Sequence, residues 1–239
     1  RPLWIIIPLA LIFLPFYLVL QQPDLGTALL IVLGGGVMMF LAGVHWGYFV
    51  AALSLSVGGI LAVLNSRGED WQILNDYQYR RIDTFLDPSS DPLGAGYHIT
   101  QSKIALGSGG WTGRGFGQGT QSRLNFLPEK HTDFIFTLFS EEFGFFGSLF
   151  ILFLYALIIS RIIRIGNMTR SNFGKLYCYS FATAFFLYVA VNMMMVLGLL
   201  PIVGSPLPIM SYGGSSMMAI MLGLGIVMSC KIYKDVPVN

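Results

Sequence analysis

The chain has 239 residues, of which 54% are hydrophobic and only 11% charged, with a net charge of +2. Soluble domains carry roughly 25% charged residues, so the composition defines a membrane protein, and the small net charge argues against a nucleic-acid partner. Cys178 and Cys230 are too few, and too deep in apolar runs, for a disulfide framework, a metal site or a nucleophile.

Six apolar runs are long enough to cross a bilayer, which takes about 20 residues as helix: about 3–20, 25–43, 47–65, 134–160, 174–198 and 212–231. The expected fold is all-α, a polytopic membrane helix bundle forming one domain over 1–239, with a large extracytoplasmic loop over 66–132. Pro8 and Pro15 fall in the first run, where neighbouring helices re-satisfy the freed backbone groups. The chain begins at Arg1 with no signal-peptide pattern, as expected of the C-terminal part of a longer protein.

Basic residues set the expected orientation. The link after the fourth run holds Arg161, Arg164, Arg170 and Lys175 with no acid, which marks it as cytoplasmic. Alternation then places Lys231 and Lys234 inside, and residues 21–24, 66–132 and 199–211 outside. The loop 66–132 has seven basic and seven acidic residues, but loops beyond about 60 residues largely escape the charge rule. Within it, Asn75–Leu86 carries Tyr79, Ile82 and Leu86 at helical spacing and reads as a short amphipathic surface helix. Residues 97–106 read as another short helix. Gly107–Gly119 is glycine-rich but lacks the spacings of nucleotide-binding loops.

The ionisable residues gather at the outer edge. In RLNFLPEKHTDFIF (123–136), Asp133 stands where a polar loop turns abruptly into an apolar helix. A carboxylate there meets water on one side and a low-dielectric wall on the other, a placement suited to a base. Helix capping by Thr132 or Asp133 is the alternative. Three outer elements converge by topology: the turn QPDLGT around Asp24, the loop ending at Asp133, and the charge-free passage LPIVGSPLPIMSYGGSS (200–216) that contains Ser211. That passage either lines a cavity or simply packs helices. At 100° per residue, Glu141 lies about 80° from Asp133 and Glu142 about 180° away, so Glu141 better shares its face. Arg80, Arg81, Lys103, Arg114, Arg123 and Lys130 are candidates to collect phosphate oxygens, and His131 is placed to shuttle a proton. His45 and His98 offer no zinc-ligand spacing.

Five stretches in order carry a resemblance: QPDLGTA, DPLGAGYHITQSKIALGSGG (91–110), GTQSRLNFLPEKHTDFIF (119–136), EEFG (141–144) and PLPIMSYGGSS (206–216). Together they closely resemble the SEDS family of bacterial cell-wall polymerases, and Gly107–Gly110 and Gly119–Ser122 look like its elongation branch more than its division branch. The resemblance implies spans five to ten of a ten-span protein of the cytoplasmic (inner) membrane. It implies a peptidoglycan glycosyltransferase that polymerises lipid II at the outer face, in the periplasm or exterior, during cell elongation. It maps the family's essential aspartate onto Asp133, as general base, and its QPDLG aspartate onto Asp24. Partners implied are lipid II and a class B penicillin-binding protein, alongside membrane lipids, and a divalent cation (Mg²⁺ or Mn²⁺) is a candidate cofactor. A lipid II flippase, or a scaffold for the penicillin-binding protein, is the alternative function.

Overall fold

The computed structural model describes residues 3–22, 24–66, 79, 83–87, 94–120 and 131–234. Among these residues every regular element is a helix: α1 (Leu3–Leu20), α2 (Leu25–Leu41), α3 (Trp46–Asn65), α4 (Ala95–Ser108), α5 (Ile135–Met168), α6 (Asn172–Val196) and α7 (Gly214–Ile232). Each apolar run of the sequence becomes one helix. Helices α3, α5, α6 and α7 are long and apolar enough to cross a membrane, while the apolar stretches of α1 and α2, Ile5–Leu20 and Gly26–Leu41, are shorter. The chain is an integral membrane protein.

Helix α6 is the axis of the bundle. Of its most apolar 18-residue stretch 44% is buried, against 11% for the corresponding stretches of α5 and α7 and none for α3. It packs against α5, α2 and α7, and its Phe185, Val189, Met193, Met195 and Val196 form a core with Phe134, Phe136 and Tyr155 of the α5 region. Leu53, Leu55 and Leu61 of α3 are exposed, as a helix facing acyl chains requires.

Helix α5 is 34 residues long, about 51 Å at 1.5 Å per residue, well beyond the roughly 30 Å of hydrocarbon it must cross. Arg161 and Arg164, expected in the link after this run, therefore lie inside the helix, in its last turns. The link itself shrinks to a short turn in which Ser171 Oγ accepts the Gly174 N–H and caps α6. At the same end of the bundle, His45 Nδ1 accepts the Gly47 N–H and caps α3. That is the use the structure makes of this histidine.

The EEFG stretch is not regular helix. Gly144 has φ 70° and ψ −165°, a conformation essentially restricted to glycine, and it breaks α5 about two and a half turns after its start. The glycine-rich stretch after α4 fills the break. Arg114 N–H donates to the Glu141 carbonyl and Gly115 N–H to the Glu142 carbonyl, each at 3.0 Å. In return Phe145 and Phe146 donate to the carbonyls of Gly110 and Trp111, at 2.9 and 3.2 Å. A Cβ at Gly113 would overlap the Glu142 carbonyl, and one at Gly109 the Ser140 carbonyl. Glycine is needed here because backbone meets backbone. No nucleotide-binding role has to be invoked for the loop.

Helix α4 confirms the short helix expected over 97–106 and extends it to Ala95–Ser108. Its buried Ser102 donates to the Val196 carbonyl and bonds Thr137 Oγ1, both at 2.9 Å, which fixes α4 against α5 and α6. Of the expected surface helix Asn75–Leu86, Tyr79 and residues 83–86 are helical and the rest lies outside the described residues. Tyr79 is buried and its hydroxyl donates to the Val63 carbonyl at 2.8 Å, tying this segment to the end of α3.

Candidate functional site

The three outer elements meet at one end of the bundle, as topology required. The first contact is between the turn at Asp24 and the passage after α6, where a Cβ on Gly26 would overlap the Val203 carbonyl. Asp24 Oδ1 accepts the Thr27 N–H at 3.0 Å and so caps α2. Its carboxylate is also within electrostatic reach of the Tyr188 phenol on α6.

Asp133 is half-buried and stands just ahead of α5, whose N-cap position is Phe134, with no side-chain capping bond. Its Oδ2 lies beside Gly204, 3.7 Å from where a Cβ on that glycine would stand. Its backbone is held from α6. Asn192 is fully buried, and its Nδ2 donates to the Asp133 carbonyl at 2.9 Å and to the Ser205 carbonyl at 2.7 Å. One carboxamide therefore fixes both the aspartate and the loop that faces it. Sequence reasoning missed Asn192, although a lone amide in the apolar run VNMMMVLG is the kind of intramembrane polar residue that marks a site.

Ser211 makes a second clip. Its Oγ donates to the Thr132 carbonyl at 2.6 Å and accepts the Leu207 N–H at 2.7 Å. Tyr212 N–H donates to the His131 carbonyl at 2.9 Å, and Tyr155 of α5 donates its hydroxyl to the Pro208 carbonyl at 2.6 Å. Held at these points, the passage adopts a left-handed backbone at Ile209, φ 69°, where a β-branched residue is an outlier. A cavity of about 530 Å³ opens on one side of the passage, lined by Thr27, Phe185, Tyr188, Leu207 and Ser216. One of about 650 Å³ opens on the other, lined by His131, Ile135, Ile209, Ser211 and Met217. The passage thus lines cavities as well as packing helices.

The remaining expected residues divide. Lys103, exposed on α4, lies over Gly198, two residues ahead of the passage, its Nζ 2.7 Å from where a Cβ on that glycine would stand. Arg114 closes the glycine loop on itself, donating to the Ser108 carbonyl at 3.3 Å and to Thr120 Oγ1 at 3.0 Å. Glu141 is fully buried and faces that same loop. Its Oε1 accepts the Thr120 N–H at 2.7 Å and the Thr120 hydroxyl at 3.1 Å. Arg81, Arg123 and Lys130, like Arg80, lie outside the described residues. No cluster of three His, Cys, Asp or Glu that would cage a metal ion occurs among the described residues.

Replacing Asn192 by Leu removes the donor to the Asp133 carbonyl and to the buried Ser205 carbonyl, and loss of the buried bond alone costs about 1–3 kcal/mol. The variant is expected to unfold at lower temperature than the wild type. Thermal unfolding in detergent, side by side with the wild type, checks it.

These features define a polytopic membrane protein with a carboxylate-centred site where three loops close one end of its bundle. The chain belongs to the FtsW/RodA/SpoVE family, described as "Cell cycle protein", which it matches over residues 2–235. It is 48% identical over 229 residues to the peptidoglycan glycosyltransferase MrdB of Escherichia coli K12, a match covering 95% of this chain and 60% of that one. Among solved structures it is similar to a chain of a peptidoglycan synthase complex, with TM-score 0.75 and 32% identity, covering 96% of this chain and 62% of that one. It is also similar to the rod shape determining protein RodA of Thermus thermophilus, with TM-score 0.60 and 26% identity over 96% of this chain and 56% of that one. The likeness to MrdB and RodA agrees with the elongation branch of the family. The chain spans about 60% of the length of the curated relative it matches.

Proposed function

We propose that this chain carries the catalytic centre of a peptidoglycan glycosyltransferase that polymerises lipid II, with Asp133 as general base. The observation that carries this reading is the seat of Asp133, half-buried at the mouth of the bundle and fixed by its own backbone to α6. Family membership and the names of the relatives support it. An alcohol is a weak nucleophile, so the base takes the acceptor sugar's hydroxyl proton as the new bond forms to the donor's anomeric carbon. The bond to the donor's pyrophosphate breaks with it, and polyprenyl pyrophosphate leaves with the electron pair. One displacement inverts the anomeric centre. The largely apolar 530 Å³ cavity beside Leu207 suits a prenyl chain, and Lys103 lies close enough to the passage to meet the leaving phosphates.

A divalent cation, Mg²⁺ or Mn²⁺, fits this site as a guest of the substrate's pyrophosphate, since Mg²⁺ is commonly held by one or two carboxylates plus substrate phosphates. Asp24 would hold it through the carboxylate oxygen not given to Thr27, and the ion would neutralise charge on the leaving group. A class B penicillin-binding protein is the proposed partner, and the outer face of the cytoplasmic membrane the proposed place of reaction.

A gel assay for glycan strands from purified lipid II, run on the full-length protein with and without its partner, tests the reading. Strands made by the protein alone, or only when the partner is present but through this chain's Asp133, support it. Lipid II that crosses vesicles with no strand growth would mean a flippase. Growth that ignores the state of this chain would mean a scaffold.

A further inference from the structure

At the end of the bundle opposite Asp133, four cations surround one cavity. Arg161 and Arg164, three residues apart, share a face of α5, while Lys231 stands in the last turn of α7 and Lys234 in the turn just beyond its end. The two pairs line a cavity of about 280 Å³ together with Ile165 and Met168. The cavity's edge is held by the backbone, because Arg170 N–H donates to the Lys234 carbonyl at 3.0 Å. Close packing at Gly166 against Cys178, and at Gly174 against Cys230, draws α5, α6 and α7 together at this level. Residues 161–175 contain no acid, and the nearest acid in sequence to Lys234, Asp235, lies outside the described residues. A rule that merely places basic residues at the cytoplasmic end does not require them to share a cavity. Arg170 and Lys175 obey the same rule and do not line it.

We propose that this cavity is a binding site for the headgroup of one anionic phospholipid of the cytoplasmic leaflet. Guanidinium forks and ammonium groups suit phosphate oxygens, and basic pockets between spans on this side are where such headgroups bind. A lipid is favoured over a soluble anion because the walls continue as apolar surface. Met168 on α5, and Met228 and Ile232 on α7, are 59%, 51% and 70% exposed, which gives acyl chains a track beside the charged cavity. The site lies some 40 Å of helix from Asp133 and is independent of the glycosyltransferase reading.

Native mass spectrometry of the full-length protein, titrated with phosphatidylglycerol, cardiolipin or phosphatidylcholine, tests the proposal. One phosphatidylglycerol or cardiolipin is expected to be retained per chain in preference to phosphatidylcholine. Replacing Arg161, Arg164, Lys231 and Lys234 together by Gln is expected to lower that retention about tenfold or more. Replacing Arg170 and Lys175 by Gln should leave it within about twofold. If the fourfold variant does not fold, Lys231→Gln with Lys234→Gln alone should still lower retention about threefold. Equal losses from the two sets of variants, equal retention of phosphatidylcholine, or displacement of the lipid by millimolar inorganic phosphate would each overturn the assignment.

Discussion

Asp133→Asn is expected to abolish glycan growth while leaving the protein folded. The amide is nearly isosteric, and Asn192 grips the Asp133 main-chain carbonyl, not its carboxylate. The clip between Ser211 and Thr132 is likewise made to backbone. On the proposed mechanism the lost element is the proton acceptor, and base assistance of this kind is worth about 10²–10⁴-fold in rate. In vesicles fed purified lipid II, the full-length variant should bind substrate and show a wild-type melting temperature, yet give strands at most about a hundredth as fast. Strand yield equal to the wild type from the same quantity of folded protein would remove Asp133 from the reaction.

The second large effect is on stability. Gly144→Ala places a side chain on a backbone at φ 70°, ψ −165°, where L-residues are not accommodated, and its Cβ would overlap the backbone at Thr112 and Gly113. The strain alone is about 1–3 kcal/mol. Relieving it means parting the glycine loop from α5, with loss of the four backbone bonds that bridge the break. A total above about 4 kcal/mol is expected, in the range reserved for specific structural failures. Gly36→Ala is the control, because nothing lies within 4 Å of its Cβ position. Thermal unfolding in detergent should show Gly144→Ala melting far below both the wild type and Gly36→Ala. Equal melting of the two variants would mean that the break in α5 is not held by the loop.

These two sites differ in how far the sequence disclosed them. Asp133 was legible because a change from polar to apolar residues is local, and so was each apolar run that became a helix. The meeting of the three outer loops followed from alternation of spans alone, and the contacts Gly26–Val203 and Asp133–Gly204 bear it out. The break at Gly144 was not legible. EEFG lies in an apolar run that reads as continuous helix, and a single glycine within such a pattern is ordinarily tolerated. What decides it is the docking of residues 110–115 from about thirty positions upstream, which no periodicity records. For the same reason Glu141, placed by angle on the Asp133 face, is found holding Thr120. Asn192 was visible only as an isolated amide. Its partners are carbonyls of Asp133 and Ser205, brought to it by two different loops, and only the fold pairs them.

The left-handed isoleucine at 209 alters how damage to its neighbourhood adds up. A β-branched residue in that region costs about 1–2 kcal/mol and persists only where the surroundings over-determine it. Here the fastenings at Asn192, Ser211 and Tyr155 supply that insistence. Undoing the first lets Ile209 relax and returns part of the loss, whereas undoing another has no such refund to offer. Substitution energies around this passage will therefore combine unevenly, the later injuries weighing more than the first.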